Sequence, residues 1–394
     1  MAKIMISLLG GRPIPNMLAL LHLKPDCLYV IVSKDSLGAG GNYEKLINAL
    51  PSHLRPSKPC SVKPYNLTET IQQCETIANK HKKDQIVVVS ASEPKTMGFG
   101  AYDAVKNLRT QCRNVDMCYL SRKGLVWVFR NTKDDDDADS VRIGLKDYFA
   151  SYGWNVTSNP GPDERFQKLV SLLVQNLPTS HLLLCTLKSN DRGKGKRTIR
   201  YNQYLNDEEF FLLRKIEKLQ IISNVLRTDT ETKWTVNGDE EAKFLLTGDW
   251  LEFYVYRTAS RLKTAQDEPL FNECGWGVED TSDKGEIDFA GIFGGQMVVA
   301  SCKTEKSVKR TWFEELHSKV VQLGKGMCSA LLVSSVSKSV RTRKDLDKYE
   351  RWARERQIVL VMAEDLPQLP DILRKIVTGD KDAEPKHIPY YPRI

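Results

Sequence analysis

The sequence predicts an α/β protein with two sheet-containing domains and a more helical region between them. Short apolar runs alternate with helical segments from residue 3 to about 130, which predicts a largely parallel sheet. Residues 141–240 are richer in helical segments. From 241 onward, a long helix, a β-hairpin and further helices and strands predict a mixed sheet flanked by helices. A chain of 394 residues has room for two or three such domains.

The first region, residues 1–140, has regularly spaced strand and helix signals. The predicted strands are KIMISLL, CLYVIV (27–32), QIVVVS (85–90), a short strand at 115–120 and GLVWVFR (124–130), and the predicted helices begin at about Ile14 and Tyr43 or cover 68–80 and 97–110. Strands and helices that alternate in this way form parallel βαβ units. The acidic run that follows, Asp134 to Asp137 with Asp139, is interpreted as a solvated linker, with metal binding as the alternative.

The middle region, residues 141–240, predicts a helical unit with a small hairpin. Its helices are expected near 163–176 and 207–226, and its strands over 181–188 (HLLLCTLK) and 197–205 (RTIRYNQYL). Two strands around the basic, glycine-rich loop 189–196, next to a helix, are typical of a winged helix whose loop touches phosphates. The alternative is a hairpin tip that is polar only because it is solvated.

The third region, residues 241–394, predicts the mixed sheet. Its expected elements are a helix over 241–263, a β-hairpin, a helix over 311–323, the strand 329–335, a helix over 344–356, the strand 358–363 and a last helix over 365–377. Helices that follow strands in this order cover the faces of a sheet.

Charge and cysteine content exclude several classes of protein. Lysine and arginine (58) exceed aspartate and glutamate (50) by 8, which excludes a histone-like polycation but permits a polyanionic partner. The nine cysteines are odd in number and form no CxxC pair, so a reduced, cytoplasmic protein without a zinc ribbon is expected. The N-terminal apolar stretch is too short for a signal peptide, and no run of ~18 apolar residues exists, so neither secretion nor membrane spanning is expected.

The strongest chemical signal lies in the segment GEIDFAGIFGGQMVVASCKTEK. Gly294-Gly295 is a two-residue hairpin turn signal between β-prone residues. A hairpin closed there sets Asp288 opposite Ser301 and Glu286 opposite Lys303. All four side chains then lie on one face, and the opposite face is apolar. The sequence therefore predicts two carboxylates and a lysine together at one strand end.

This group of side chains suits metal-assisted hydrolysis of a phosphodiester. Carboxylate oxygens bind Mg²⁺ or Mn²⁺, and Lys303 would orient or activate the attacking water. Glu252, in the helix of GDWLEFYVY, would supply a third oxygen ligand. The alternatives are a surface ion pair between Glu286 and Lys303 and an exposed helix position for Glu252.

A second candidate site lies in the first region, where ligands of a doubly wound sheet bind beyond the carboxyl ends of the strands. The candidate residues there are Leu9, Gly10, Gly11, Arg12, Ser33, Asp35, Ser36, Ser92, Lys95, Thr96 and Met97. Small, hydroxyl and cationic residues next to a helix N-terminus favour a phosphate-bearing ligand. The chain has no GxGxxG or GxxxxGK[ST] motif, which argues against a dinucleotide cofactor. Alternatively, Lys95 is a solvated lysine, and Ser33 and Ser36 are ordinary polar residues.

The third region resembles the PD-(D/E)xK nuclease core, in which a helix glutamate and a strand aspartate precede an xxK strand. Glu252, Asp288 and Ser301-Cys302-Lys303 match those positions, and GDWLEFYVY…EIDF…SCKT is similar to CRISPR-associated ancillary nucleases that carry a CARF domain, a sensor of cyclic oligoadenylates. The resemblance implies metal binding by Glu252, Asp288 and Cys302. Ser301 stands where the family has its second acid, so Glu286 or water replaces that ligand, or activity is weak or absent.

The first region resembles the CARF domain itself. CARF domains carry a K-x-M element after the fourth strand, which Lys95-Thr96-Met97 matches, whereas Glu93-Pro94 replaces the usual glycine-threonine. The resemblance implies a Rossmann-like CARF domain at 1–140 and a restriction-endonuclease-like domain at 241–394, on either side of the winged-helix-like connector expected at 141–240. It also implies a homodimer.

The expected function is that of a nuclease switched on by a ligand. The activator would be cyclic tetra-adenylate, the cofactor Mg²⁺ or Mn²⁺, and the substrate DNA, RNA or both, in type III CRISPR antiviral defence. One alternative is a ligand-responsive nucleic-acid-binding regulator whose nuclease domain has decayed, as Ser301 would allow. Another is a constitutive repair or restriction nuclease in which the first domain is only a scaffold.

Overall fold

In the computed structural model, the chain forms two compact units. The N-terminal unit comprises Met1–Val156 and Asp280–Lys284, and the C-terminal unit comprises Thr157–Glu279 and Gly285–Ile394. The structure describes residues 1–378 except 39, 57, 112, 122–123, 131–141, 178, 182, 185–196, 202–204, 283 and 325. The acidic run at 134–139 and the basic loop at 189–196 therefore lie outside the described residues.

The N-terminal unit contains a six-stranded sheet of order β3-β2-β1-β4-β5-β6. Its strands are β1 (Lys3–Leu9), β2 (Cys27–Ser33), β3 (Cys60–Val62), β4 (Gln85–Ser90), β5 (Val115–Ser121) and β6 (Gly124–Phe129). The first five strands run parallel and β6 is antiparallel to β5. This arrangement confirms the predicted Rossmann-like sheet, because the strand order reverses direction between β1 and β4.

Helices cover both faces of this sheet. They are α1 (Ile14–Leu23), α2 (Asn42–Ala49), α3 (Leu67–Lys80), α4 (Lys95–Thr110) and α5 (Leu145–Ser151), with short 3₁₀ turns at Lys34–Ser36 and Ser52–Leu54. Ile4, Ile6 and Leu8 of β1 pack in one core with α3 and α4. Helix α5 packs against α1 and α2 and buries Tyr148 and Phe149 completely. The sequence analysis placed α5 in the connector, but its apolar face is covered within the N-terminal unit.

A second six-stranded sheet, of order β15-β14-β13-β12-β11-β7, belongs to the C-terminal unit except for its residues Val156 and Asp280. Its strands are β7 (Val156–Thr157), β11 (Glu273–Asp280), β12 (Glu286–Phe293), β13 (Gln296–Lys303), β14 (Cys328–Ser334) and β15 (Ile358–Val361). Strands β11, β12 and β13 are antiparallel, whereas β13, β14 and β15 are parallel. The predicted mixed sheet is present, and β11 is an additional strand that the sequence analysis missed.

Helices and a smaller sheet complete the C-terminal unit. The helices are α6 (Glu164–Gln175), α7 (Asp207–Lys218), α8 (Asp249–Ser260), α9 (Arg310–Gln322), α10 (Arg343–Arg356) and α11 (Leu369–Thr378), with a helical turn at Asp239–Ala242 and a 3₁₀ helix at Ala363–Gln368. The smaller sheet has the order β8 (Arg197–Tyr201), β10 (Thr232–Val236) and β9 (Ile222–Arg227), all antiparallel. The ring of Phe166 in α6 lies 4.6 Å from that of Phe244, so the middle and third regions share one core.

Three predicted elements of the C-terminal unit are wrong in detail. Residues 181, 183 and 184 are helical rather than extended, since a short apolar run fits either structure. The helix expected over 207–226 ends at Lys218, and the chain turns at Gln220 (φ 60°) into β9. The helix expected over 241–263 is broken at Gly248, whose φ of 114° is incompatible with a continuous α-helix.

The seven cysteines within the described residues are free thiols. No helix formed by the described residues combines the length and the apolar character that crossing a bilayer requires.

Candidate functional site

The β12–β13 hairpin has the predicted register. Gly294 and Gly295 both have positive φ angles, 49° and 76°, as a two-residue hairpin turn requires. Phe289 pairs with Ala300, as the predicted register requires, and just beyond this pair Ser301 Oγ lies 3.3 Å from Asp288 Oδ2. The glycine turn thus fixes which side chains reach the polar end of the hairpin.

Asp288 is the centre of this polar end. Its Oδ2 accepts hydrogen bonds from the backbone N–H of Cys302 at 2.6 Å, from Ser301 Oγ at 3.3 Å and from Lys303 Nζ at 3.4 Å. The residue is only 8% exposed. Lys303 forms an ion pair with Asp288 and not with Glu286. The alternative interpretation, a surface ion pair between Glu286 and Lys303, is therefore wrong. Asp288, Ser301 and Lys303 therefore form a connected group.

Glu252 reaches the same place from helix α8, which packs against β12 and β13. Burial and the neighbouring carboxylates of Asp288, Asp249 and Glu286 raise the pKa of Glu252 to about 9. Lys303 opposes this shift but does not cancel it. The alternative interpretation of Glu252, an exposed position on the helix, is therefore wrong. The carboxylates outnumber the nearby cation, and such a site favours binding of a proton or a metal ion.

Gly248 determines where α8 begins. A Cβ atom on this residue would lie 2.9 Å from Thr304 Oγ1, and its φ of 114° is strained for other residues. The π-helix Lys243–Thr247 ends immediately before it. Because Thr304 directly follows Lys303, this close contact places the start of α8 beside the end of β13.

Asp249 is a site residue that the sequence analysis missed. It lies three residues before Glu252 and therefore on the same side of α8. Its carboxylate accepts a hydrogen bond from Thr247 Oγ1 at 2.6 Å and lies 3.7 Å from Lys243 Nζ. The spacing of two acids at i and i+3 in GDWLE was the signal that could have identified it.

Glu286 and Cys302 differ from the predicted arrangement. Glu286 is exposed at the start of β12, and partial burial with the nearby charges of Asp288 and Glu279 raises its pKa. The Cys302 side chain lies in the hydrophobic core, and burial raises the pKa of its thiol well above the usual value. The Cys302 thiol is therefore turned away from a metal ion at the site, and only the backbone of Cys302 is left for the predicted metal role. Within the described part of the chain, no three His, Cys, Asp or Glu side chains are already arranged to hold a metal ion.

His181 is buried, and Ser335 connects it by hydrogen bonds to the end of β13. Its Nδ1 is 2.7 Å from Ser335 Oγ, and the backbone N–H of Ser335 donates to the carbonyl of Lys303 at 3.1 Å. Burial, together with the charge of Arg341, lowers the pKa of His181 to about 4. The imidazole is consequently neutral at pH 7. Through Ser335, it is hydrogen-bonded to the end of β13, which carries Lys303.

We expect this neutral histidine to make stability depend on pH. In the unfolded chain, His181 takes up a proton near pH 6.5, whereas in the folded protein its pKa is lowered to about 4. Acidification from pH 7 to pH 5 should therefore lower the free energy of unfolding by about 2 kcal/mol through this residue. Urea unfolding of the full chain at both pH values should show a difference that His181→Gln reduces. An equal pH dependence in both proteins would contradict the assignment.

The second candidate site is formed by loops at the carboxyl ends of β1 and β4. The backbone N–H groups of Gly10 and Gly11 donate to Ser92 Oγ (3.4 Å) and Ser92 O (3.2 Å). Ser92 Oγ in turn donates to the carbonyl of Arg12 at 2.7 Å. A Cβ atom on Gly10 would lie 2.3 Å from Ser92 O, so only glycine permits this contact. The structure thus brings the first and third predicted loops together.

The second predicted loop, after β2, joins the same group. Ser36 Oγ donates to the carbonyl of Gly10 at 3.4 Å, and Ser33 Oγ lies 3.1 Å from Ser36 Oγ. Both serines are buried, so they support the loops, whereas Asp35 is exposed. Asn42 Nδ2 also donates to Gly10 O, at 3.0 Å, a contact that the sequence analysis missed.

The remaining predicted residues divide into exposed and buried ones. Arg12 and Lys95 are exposed, and Thr96 is half-buried in the first turn of α4. Leu9 and Met97 are completely buried. Any ligand contact from these two therefore comes from the backbone.

Asn16 is a further missed residue of this site. Its side-chain amide donates to Ser7 Oγ at 2.6 Å and to the carbonyl of Leu8 at 2.8 Å, and its Oδ1 accepts from Ser92 Oγ at 3.3 Å. It is the single polar residue of the apolar segment IPNMLALL, which was the signal available in the sequence.

The polar end of the hairpin lies within a segment that matches a protein family. Residues 239–378 match the family model of the Card1-like endonuclease domain. The matched segment includes Asp249, Glu252, Asp288 and Lys303. No curated protein matches the chain in sequence.

Solved structures share the fold over most of the chain. Protein VC1899 from Vibrio cholerae aligns with a TM-score of 0.75 and 17% identity over 96% of this chain and 98% of that chain. Can2 from Sulfobacillus thermosulfidooxidans, solved in complex with cyclic tetra-adenylate, aligns with a TM-score of 0.71 and 15% identity over 95% of this chain and 97% of that chain. At these identities, the similarity establishes the fold.

A third solved structure is larger. It is a type III CRISPR defence DNA nuclease activated by cyclic oligoadenylate, and it aligns with a TM-score of 0.53 and 14% identity over 86% of this chain. The alignment covers 47% of that nuclease, so this chain spans about half its length. All three similarities agree with the predicted combination of a Rossmann-like sheet and a mixed α/β sheet.

Proposed function

We propose that this protein is a metal-dependent nuclease that a cyclic oligoadenylate activates. The observation that carries the proposal is the group formed by Asp288, Lys303 and Glu252 at the end of the β12–β13 hairpin. The match of the surrounding segment to the Card1-like endonuclease domain supports the same chemistry. The fold shared with Can2, which was solved with cyclic tetra-adenylate, supports the choice of activator.

The residues present fit a divalent metal ion of the Mg²⁺ or Mn²⁺ type. All three donors to Asp288 approach Oδ2, so its Oδ1 has no protein donor among the described residues. Burial, together with the neighbouring carboxylates of Asp288, Asp249 and Glu286, raises the pKa of Glu252, and a cation bound there would offset this accumulation of negative charge. Asp288 and Glu252 would hold the ion, with Asp249 and Glu286 adding negative charge. A bound ion would supply a Lewis acid for the scissile phosphate.

Lys303 acts as a cation in this proposal. Burial is the largest single effect and would lower its pKa, but the charge and hydrogen bond of Asp288, together with the nearby Cys302 and Glu252, outweigh burial and raise the pKa. The ammonium group therefore keeps its proton at neutral pH. Held 3.4 Å from Asp288, it can donate a hydrogen bond to the attacking water or to a phosphate oxygen.

The N-terminal unit would bind the activator. The loops at the carboxyl ends of β1 and β4 present Gly11, Arg12 and Lys95 beside a helix N-terminus, which suits phosphate groups. A ring with two-fold symmetry is best bound by two identical sites across a dyad, so we propose a homodimer. The protein would serve in type III CRISPR defence.

Cleavage assays test this function directly. Single-stranded DNA, single-stranded RNA and duplex DNA should each be incubated with and without Mn²⁺ and cyclic tetra-adenylate. Cleavage of at least one substrate only when both are present is the expected result. Binding of nucleic acid without cleavage would instead favour a regulator, the alternative that Ser301 suggests. Cleavage that does not depend on the cyclic ligand would indicate a constitutive nuclease.

Ser301→Glu is expected to strengthen metal binding. The new carboxylate would lie beside Asp288, where Ser301 Oγ is now 3.3 Å from Oδ2. Affinity for Mn²⁺ should rise roughly 10-fold, because each added carboxylate ligand tightens a divalent site. Thermal unfolding should show a lower melting temperature in EDTA and a larger stabilisation by Mn²⁺ than in the wild type. An unchanged response to Mn²⁺ would show that position 301 does not face the ion.

A further inference from the structure

Glu93 is an acid at the edge where the proposed activator would bind. It lies in the loop between β4 and α4, and both of its carboxylate oxygens are held. Ser90 Oγ donates to Oε1, and the backbone N–H of Ala91 donates to Oε2 at 2.7 Å. These two contacts fix the negative charge at the end of β4.

Close contacts place Glu93 between the loop after β1 and the first turn of α4. A Cβ atom on Gly98 would lie 2.9 Å from Glu93 Oε1, so the carboxylate lies directly against the helix. A Cβ atom on Gly10 would lie 2.7 Å from Glu93 Cα. Gly11 lies in the loop after β1, and Lys95 lies in the first turn of α4. Glu93, placed between these two elements, is therefore close to both candidate ligand-binding residues.

No cation of the described residues forms an ion pair with Glu93. Lys95 is two residues away and exposed, but the carboxylate hydrogen-bonds Ser90 and Ala91 instead. Pro94 directly precedes the first residue of α4, and no side chain caps this helix N-terminus. An arriving phosphate would therefore meet the attraction of Lys95 and Arg12 together with the repulsion of a fixed carboxylate.

We infer that Glu93 opposes activator binding and so sets the ligand concentration at which the sensor fills. The inference rests on the proposed function, because it requires a phosphate-bearing activator at this edge. Like charges that cannot move apart weaken an interface, and the two hydrogen bonds prevent Glu93 from turning away. The residue is a specificity determinant, since it penalises an anion that lacks enough other contacts to the loops.

The test is Glu93→Gln, which removes the charge and keeps an oxygen that accepts from the Ala91 N–H. Calorimetry in about 0.05 M salt should show ~5-fold tighter binding of cyclic tetra-adenylate, and the gain should fall below ~2-fold in about 0.5 M salt, where charges are screened. A purely structural role for Glu93 would not produce a gain that salt removes. Glu93→Ala should show the same gain even though both hydrogen bonds are lost.

Asp103→Asn is the matched control, because it removes one negative charge from an exposed position further along α4. Its binding should equal that of the wild type. If the wild type binds the ring and neither Glu93 variant binds it more tightly, this inference alone is overturned. If neither the wild type nor the Glu93 variants bind any cyclic oligoadenylate, the proposed function is overturned together with it.

Discussion

Asp288→Asn is expected to reduce metal-dependent cleavage roughly 10³-fold, because several kcal/mol of transition-state stabilisation depend on the ion that this carboxylate holds. Asparagine has the same size, and its side-chain oxygen can still accept from the Cys302 N–H, which lies 2.6 Å from Asp288 Oδ2. The melting temperature should therefore change by only a few degrees. Initial cleavage rates at saturating Mn²⁺ and activator measure the effect.

The matched control for this variant is Glu273→Gln. Glu273 lies at the start of β11, where it pairs with Ile292 near the turn end of the hairpin and so away from Asp288. It carries the same type of charge change without touching the proposed site. Full activity in Asp288→Asn would disprove the assignment of this carboxylate, and equal losses in both variants would point to a general effect of charge on the fold.

The hairpin could be predicted because its signals are local. Two adjacent glycines specify the turn, and a side-chain period of two then fixes every pair, including Phe289 with Ala300. The parallel sheet of the N-terminal unit followed from a similarly local alternation of apolar runs and helices. Its binding loops could be predicted as well, since the carboxyl ends of parallel strands lie at one edge.

Other elements depend on contacts that no local pattern contains. The segment FFLLRKIEKLQIISNVL has helical periodicity throughout, but its second half pairs with β10, so α7 ends at Lys218. The helix break at Gly248 requires Thr304, which is distant in the chain. Residues 181, 183 and 184 are helical because a short buried apolar run satisfies either structure.

The residues of the two candidate sites likewise divide into those that local sequence signals predict and those that depend on the folded surroundings. Asp288, Ser301 and Lys303 were predicted together because one hairpin carries all three. Asp249 was missed because its importance comes from the charges around it: it raises the pKa of Glu252 across one helix turn. Glu93 was located in the loop after β4, but its contacts with Ser90 and Ala91 could not be predicted, because they depend on how that loop folds.

Lys95→Glu tests the other end of the proposed mechanism and is expected to weaken binding of cyclic tetra-adenylate at least ~10-fold. A charge-assisted hydrogen bond contributes roughly 1.5–3 kcal/mol, and the reversed charge adds repulsion to that loss. Calorimetry measures the affinity. Lys106→Glu, an exposed charge reversal three turns along the same helix, should bind as tightly as the wild type.

The folded state should tolerate this change, which makes the result interpretable. Lys95 is the first residue of α4, and a negative charge interacts more favourably than a positive one with a helix N-terminus. A loss of binding in Lys95→Glu therefore cannot come from a weakened helix. Because only occupancy of the sensor changes, cleavage should recover at high activator concentration. Binding as tight as in the wild type would place the ligand elsewhere on the N-terminal unit, and cleavage that never recovers would mean that Lys95 also transmits activation.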